Sequence, residues 1–119
     1  MDPAPSLDDL LWFFEVEPRS EDDDWQKYWP YTEVTYSTQR GEWEYDVSVW
    51  PGGESVRLKA RRAGDAAISL DLKRVVTVDL ERAPRSESLR IRFHADERLD
   101  TLRLQLKPTF SLSWAMVEW

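Results

Sequence analysis

From Tyr31 to the end of the chain, apolar residues recur at every second position. Trp43, Tyr45, Val47 and Val49 alternate with Glu42, Glu44, Asp46 and Ser48, as in a strand with one buried and one wet face. A shorter run, residues 33–38, carries Val34 and Tyr36 and is followed by a turn at Gln39-Arg40-Gly41. After Pro51-Gly52-Gly53-Glu54 come Val56, Leu58 and Ala60 on one side and Arg57, Lys59 and Arg61 on the other. Pairing Trp50 with Ser55 sets Val49 opposite Val56, Val47 opposite Leu58, Asp46 opposite Lys59 and Glu44 opposite Arg61. Apolar then meets apolar and acid meets base, each pair contributing a few tenths of a kcal/mol up to about 1. A two-residue shift keeps the same pattern, so the pairing is fixed more firmly than the register.

Arg62-Ala63-Gly64 suits a three-residue hairpin loop with Gly in the left-handed region. Ala66, Ile68, Leu70 and Leu72 follow as inward residues, and Val76, Val78 and Leu80 resume the parity beyond Lys73-Arg74. This is one strand bent at Arg74 or two joined tightly there, a device that turns sandwich and barrel corners. Leu89, Ile91 and Phe93, then Leu102, Leu104 and Leu106, then Phe110, Leu112, Trp114 and Met116 complete the inward rows. Seven to eight strands with turns every 8–12 residues predict an all-β fold, an antiparallel sandwich or small barrel.

The N-terminal part reads differently. Ser6 and Asp9 form a variant capping box, and Leu7, Leu10, Leu11 and Phe14 recur at helical spacing, predicting a short helix over 6–14. The competing reading is a strand over 11–17 ended by Pro18. A polar loop follows, and Asp24 is placed to cap one turn through Tyr28 that Pro30 stops. The chain is thus expected to be one domain over 1–119. Residues 1–32 form an acidic, aromatic segment on or beside the sheet, and 33–119 form the core.

Charge sharpens that division. The net charge is −7, yet residues 1–33 alone hold Asp2, Asp8, Asp9, Glu15, Glu17, Glu21, Asp22, Asp23, Asp24 and Glu33 against only Arg19 and Lys27. The acidity therefore belongs to the N-terminal third, which repels phosphate and makes nucleic acid a poor partner. With no cysteine, neither disulfides nor thiolate-metal sites are open to this chain. The first residues lack the basic start and apolar run of a signal peptide, and no apolar run approaches a membrane span, so a cytoplasmic location is expected.

Candidate chemistry is sparse. All four glycines fall in turns, so none builds a phosphate loop. His94 is the only histidine and sits on an outward strand position, which leaves no His pair for zinc and no catalytic triad. Neither metal nor cofactor is expected. Glu42, Glu44 and Asp46 read as a solvated, ion-paired face rather than an acid–base dyad. The feature that stands out is Trp25-Gln26-Lys27-Tyr28-Trp29-Pro30-Tyr31, beside the acids of 21–24. If 25–29 is one turn, Trp25, Tyr28 and Trp29 share a face, as a plug in the sheet core or as a recognition patch. The expected function is a non-enzymatic protein-binding module of inhibitor, immunity or complex-subunit type. Its candidate binding residues are Asp22, Asp23, Asp24, Trp25, Tyr28 and Trp29, and its partner is a protein of basic character. Under a plainer alternative, the acidic segment only neutralises the protein's own rows Arg57/Lys59/Arg61 or Arg90/Arg92/Arg103. Two further readings are a pocketed β fold for a small apolar or carbohydrate ligand, and a hydrolase built on a carboxylate pair.

Overall fold

The computed structural model describes Met1 and residues 3–116. Helix α1 spans Leu7–Phe14, and the Ser6 side chain accepts a hydrogen bond from the Asp9 amide at 3.3 Å, so the capping-box reading holds and the strand reading of 11–17 does not. Its buried face is Leu10, Phe13 and Phe14, whereas Leu11, expected on that face, is partly exposed. A three-four spacing from Leu10 selects Phe13 and Phe14 and rotates Leu11 outward. Glu15 ends the helix in the left-handed region, its amide returning to the Leu11 carbonyl. One further turn, α2, covers Trp25–Tyr28.

Eight strands follow in two four-stranded antiparallel sheets. The first runs in the order β1 (Val34–Arg40), β2 (Trp43–Trp50), β3 (Ser55–Arg62), β4 (Asp65–Leu72). The second runs in the order β5 (Val75–Ala83), β6 (Ser86–Phe93), β7 (Leu99–Gln105), β8 (Ser111–Met116). The molecule is a sandwich, and the chain passes between sheets at Lys73-Arg74, where Arg74 takes a positive φ of 58°. The β2–β3 register has Trp50 opposite Ser55, Val47 opposite Leu58 and Glu44 opposite Arg61, the one of the registers allowed by the hydrophobic and charge patterns that a four-residue loop closes. The β3–β4 hairpin pairs Arg62 with Asp65. Its loop is therefore two residues, Ala63 and Gly64, both at positive φ, rather than the expected three.

The core joins both sheets to α1. Val47, Val49, Leu58 and Ala60 from one sheet meet Val75, Val78, Leu89, Ile91, Leu102 and Leu104 from the other. Phe14 stacks on Tyr36 at 4.6 Å, and α1 also packs on β5 and β6, so the helix seals the sandwich along the β1 and β5 side. At one end, Phe110 stacks on Trp43 and Tyr45 at 5.0 and 5.3 Å. The expected parity fails at the start of β5. An irregularity between Val75 and Thr77 makes Val75 and Val78 the buried residues, with Val76 only partly covered. Such a bulge shifts the pleat by one residue.

The last inward row is corrected more seriously. Leu112 and Trp114 lie opposite the buried Leu104 and Leu102, on the inward face, yet Trp114 is 60% and Met116 57% exposed. Opposite them, Ile68, Leu70 and Leu72 of β4 are only partly covered. The sheets diverge on the β4 and β8 side and leave an apolar cleft of about 520 Å³ between them. Among the described residues no helix is long and apolar enough to cross a membrane.

Candidate functional site

The acidic, aromatic segment is held to the β1 edge by a chain of local hydrogen bonds. Arg19 exchanges two backbone hydrogen bonds with Thr35, at 2.9 and 2.8 Å, which makes residue 19 a one-residue extension of the sheet. The Ser20 hydroxyl donates to the Glu33 carbonyl at 2.9 Å and accepts from the Asp22 amide at 3.2 Å. Asp24 stands at the N-cap position of α2, but its side chain makes no cap hydrogen bond. Instead, the Asp22 carboxylate accepts from the Asp24 amide at 2.9 Å. An aspartate bonding its own backbone two residues on is a local turn, and here it displaces the expected cap.

The aromatic cluster does not share one face. Trp25 and Trp29 lie half-buried against the core, while Tyr28 points outward at 47% exposure. The helix ends at Tyr28, and Trp29 is already extended (φ −58°, ψ 131°), so helical spacing does not carry to residue 29. Tyr31 is 77% exposed. Its carbonyl accepts from the Trp50 indole at 3.1 Å, and its amide donates to the Tyr28 carbonyl at 2.7 Å. Trp50 lies over the Pro51–Gly53 turn because Gly53 has no side chain: a Cβ there would stand 2.5 Å from Trp50 Cδ2. Around α2 and the turn bonded to it the outward aromatics are therefore Tyr28, Tyr31 and Trp50; Trp12, on α1, is also exposed. The alternation flags Trp50, which is off the inward parity of β2 at a turn. Nothing in the periodicity singles out Tyr31, because it precedes the first strand.

The charges sort with equal clarity. Among the described residues, none of Glu21, Asp22, Asp23 and Asp24 has a cationic group within 4.0 Å. The basic rows are met mainly by acids of the strands. Arg61 pairs with Asp46 at 3.8 Å, Arg90 grips Asp79 through two bonds of 2.8 and 2.9 Å, and Arg103 meets Glu81 at 2.7 Å. From the N-terminal third, Glu33 binds Arg57 at 2.7 Å, and Glu15 binds both Arg40 at 2.8 Å and Lys107 at 2.5 Å. Those two cations hold the Glu15 carboxyl down at about 2, Lys107 contributing most and Arg40 next. His94 bonds Glu54 at 2.7 Å, which lowers the Glu54 carboxyl.

Glu21, Asp22 and Glu33 line a shallow polar cleft of about 500 Å³ with Arg19, Ser20 and the threonines Thr32 and Thr35. Glu21 and Asp22 are exposed and Glu33 is engaged by Arg57. Of the carboxylate row Glu42, Glu44 and Asp46, Asp46 pairs with Arg61 and Glu42 with Arg62, while Glu44 stands opposite Arg61 in the ladder without an ion pair. Among the described residues no three His, Asp or Glu side chains converge as metal ligands.

The site is thus a surface feature, unpaired acids beside outward rings on a two-sheet antiparallel sandwich. No protein-family model matches the sequence, and no curated protein matches it. In overall fold the chain is similar to a solved structure described as a contact-dependent growth inhibition toxin–immunity protein complex from Klebsiella pneumoniae 342. The TM-score is 0.80 over 96% of both chains, at 15% sequence identity.

Proposed function

We propose that this protein is a non-enzymatic, immunity-type binding module that recognises a basic protein through its acidic, aromatic N-terminal surface. The observation carrying this reading is the split in the ion pairs. If the acidic segment served only to neutralise the protein's own cations, residues 21–24 would be paired with the basic rows, and they are not. Four carboxylates left without counter-ions, with Tyr28, Tyr31 and Trp50 outward nearby in the chain or bonded to it, are the two ingredients of steered encounter and hot-spot anchoring. The fold likeness to a chain of a toxin–immunity complex supports the same class. Trp25 and Trp29 take a structural part, fixing the turn that presents Tyr28.

The test compares wild type with Asp22→Lys/Asp23→Lys/Asp24→Lys and with Tyr28→Ala/Tyr31→Ala in affinity capture from source-cell extract, followed by binding kinetics on the captured protein. We expect wild type to retain a basic protein, with the lysine variant slowing association about 10–100-fold at low salt. The tyrosine pair should chiefly speed dissociation. A capture profile unchanged by both variants rejects this surface as the site.

A further inference from the structure

The edges of the two sheets are not treated alike. The β1 edge is met at Thr35 by the backbone of Arg19, and the β5 edge has α1 packed against it and an irregularity at Val75. The β4 edge carries Asp65 and Asp71. Strand β8 has neither a covering segment among the described residues nor a charge, and the irregularity in its ladder lies in the neighbouring β7, between Leu99 and Thr101, rather than in β8 itself. It reads Ser-Leu-Ser-Trp-Ala-Met, and the sequence is uncharged from Pro108 to Met116 in a chain that is 33% charged. Among the described residues no strand, helix or loop pairs with its outer side. An uncovered, uncharged strand edge is a template for another strand, and proteins that stay single guard against it.

We propose that β8 and the adjoining apolar cleft form a twofold interface between two copies of this chain. The charge pattern selects the occupant. The edge offers no charge to attract an acidic or basic partner, and an antiparallel copy of itself brings no like charges face to face. In contrast, β4 set against its own copy would bring Asp65 and Asp71 close to one another. A twofold axis perpendicular to the sheet must keep the inward rows of both copies on one side, which requires pairing of residues of like parity. An axis through Trp114 does this, setting Leu112 opposite Met116 and Ser113 opposite Ala115. The second sheet then becomes eight-stranded, from β5 through two β8 strands to the second β5. The clefts of the two copies merge into one trough, roofed by Ile68, Leu70 and Leu72 from each, with both Trp114 rings inside. The cleft and the acidic surface belong to opposite edges of the first sheet, β4 and β1, so the dimer leaves the partner surface free and does not depend on it.

One short strand edge and one cleft wall per copy make a contact at the small end of stable interfaces, about 1,000–1,200 Å² in total. The full chain is followed by sedimentation equilibrium from about 1 to 200 µM, a span that brackets the dissociation constants of weak dimers. Wild type should pass from monomer to dimer across this range. Trp114→Glu sets two carboxylates across the axis and should weaken association at least about 100-fold. Should that variant lose its circular dichroism, Ser113→Lys/Ala115→Lys decides, because both residues are exposed on the other face and would oppose lysine to lysine. Wild type that stays monomeric at 200 µM, or variants that dimerise as wild type does, overturns the proposal. So does a monomer that takes up one molecule of an apolar naphthalene-sulfonate dye with quenching of Trp114, since the cleft would then be a small-molecule pocket.

Discussion

Gly53 shows how far a single position can govern the candidate surface. The Trp50 ring lies where a Gly53 side chain would be, and Trp50 in turn ties down Tyr31 through the 3.1 Å indole bond to its carbonyl. Gly53→Ala must push the indole off the turn, at about 1–3 kcal/mol for the overpacking. The lost indole bond costs up to about 1 kcal/mol more. We expect a urea midpoint shift of that size, together with altered Trp fluorescence. Gly52→Ala should cost less, since its Cβ would come no closer than 3.2 Å to Tyr31. Equal effects of the two substitutions would mean that Trp50 is not locked by Gly53. At this scale the sequence was half legible. It marked the aromatic cluster as unusual, but helical spacing placed Trp25, Tyr28 and Trp29 on one face. Where the turn unwinds is decided by tertiary packing of the two tryptophans, which local periodicity does not contain.

Among the elements, the β2–β3 pairing and its faces were readable because two independent constraints agreed, apolar opposite apolar inside and acid opposite base outside; the register itself, which a two-residue shift would equally satisfy, rests on the four-residue loop between Trp50 and Ser55. Where only one constraint operates, the reading slips. Val75 and Val76 are equally apolar, so nothing local says which of them turns inward, and the bulge settles it. In β8 the alternation correctly gives the face of each residue. It cannot give coverage, which depends on how far the opposing sheet reaches. The helix presents the same lesson. Helical spacing from Leu7 puts Leu11 in the buried stripe and passes over Phe13, and the structure does the reverse. Phe14→Ala removes a ring stacked on Tyr36 and should cost about 3–5 kcal/mol. Leu11→Ala, at a partly exposed position, should cost under about 1 kcal/mol. Thermal unfolding that ranks the two variants the other way would show that α1 does not close the sandwich as described.

For the molecule as a whole, the decisive property is that its acids fall into two populations. One is without a counter-ion among the described residues: the contiguous run at 21–24, to which the proposal assigns the partner, and scattered carboxylates such as Asp8, Glu17, Glu44, Asp65 and Asp100. The other is engaged within the fold: Glu15 by Lys107 and Arg40, Glu54 by His94, Asp79 by Arg90, and Asp96 by Arg74, each carboxyl lying below its ordinary value. Those engaged acids link folding to protons. Because each is more acidic when folded, its stabilisation is fully present above the unfolded value and is lost as pH falls through the folded value. For Glu15 that window runs from 4.5 down to about 2. Glu15 is half-exposed, so solvent screening limits its share to about 1 kcal/mol at most. Urea midpoints of wild type should hold steady from pH 7 to 5 and then decline steadily towards pH 2. Glu15→Gln should begin lower at pH 7, by up to about 1 kcal/mol, decline less steeply, and approach wild type as pH falls to about 2, where the folded-state carboxyl is half protonated and most of its contribution is gone. Asp22→Lys/Asp23→Lys/Asp24→Lys, altering the unpaired population, should leave the shape of that decline intact. If the charge reversal flattened the curve and Glu15→Gln did not, the assignment of one group to stability and the other to recognition would have to be exchanged.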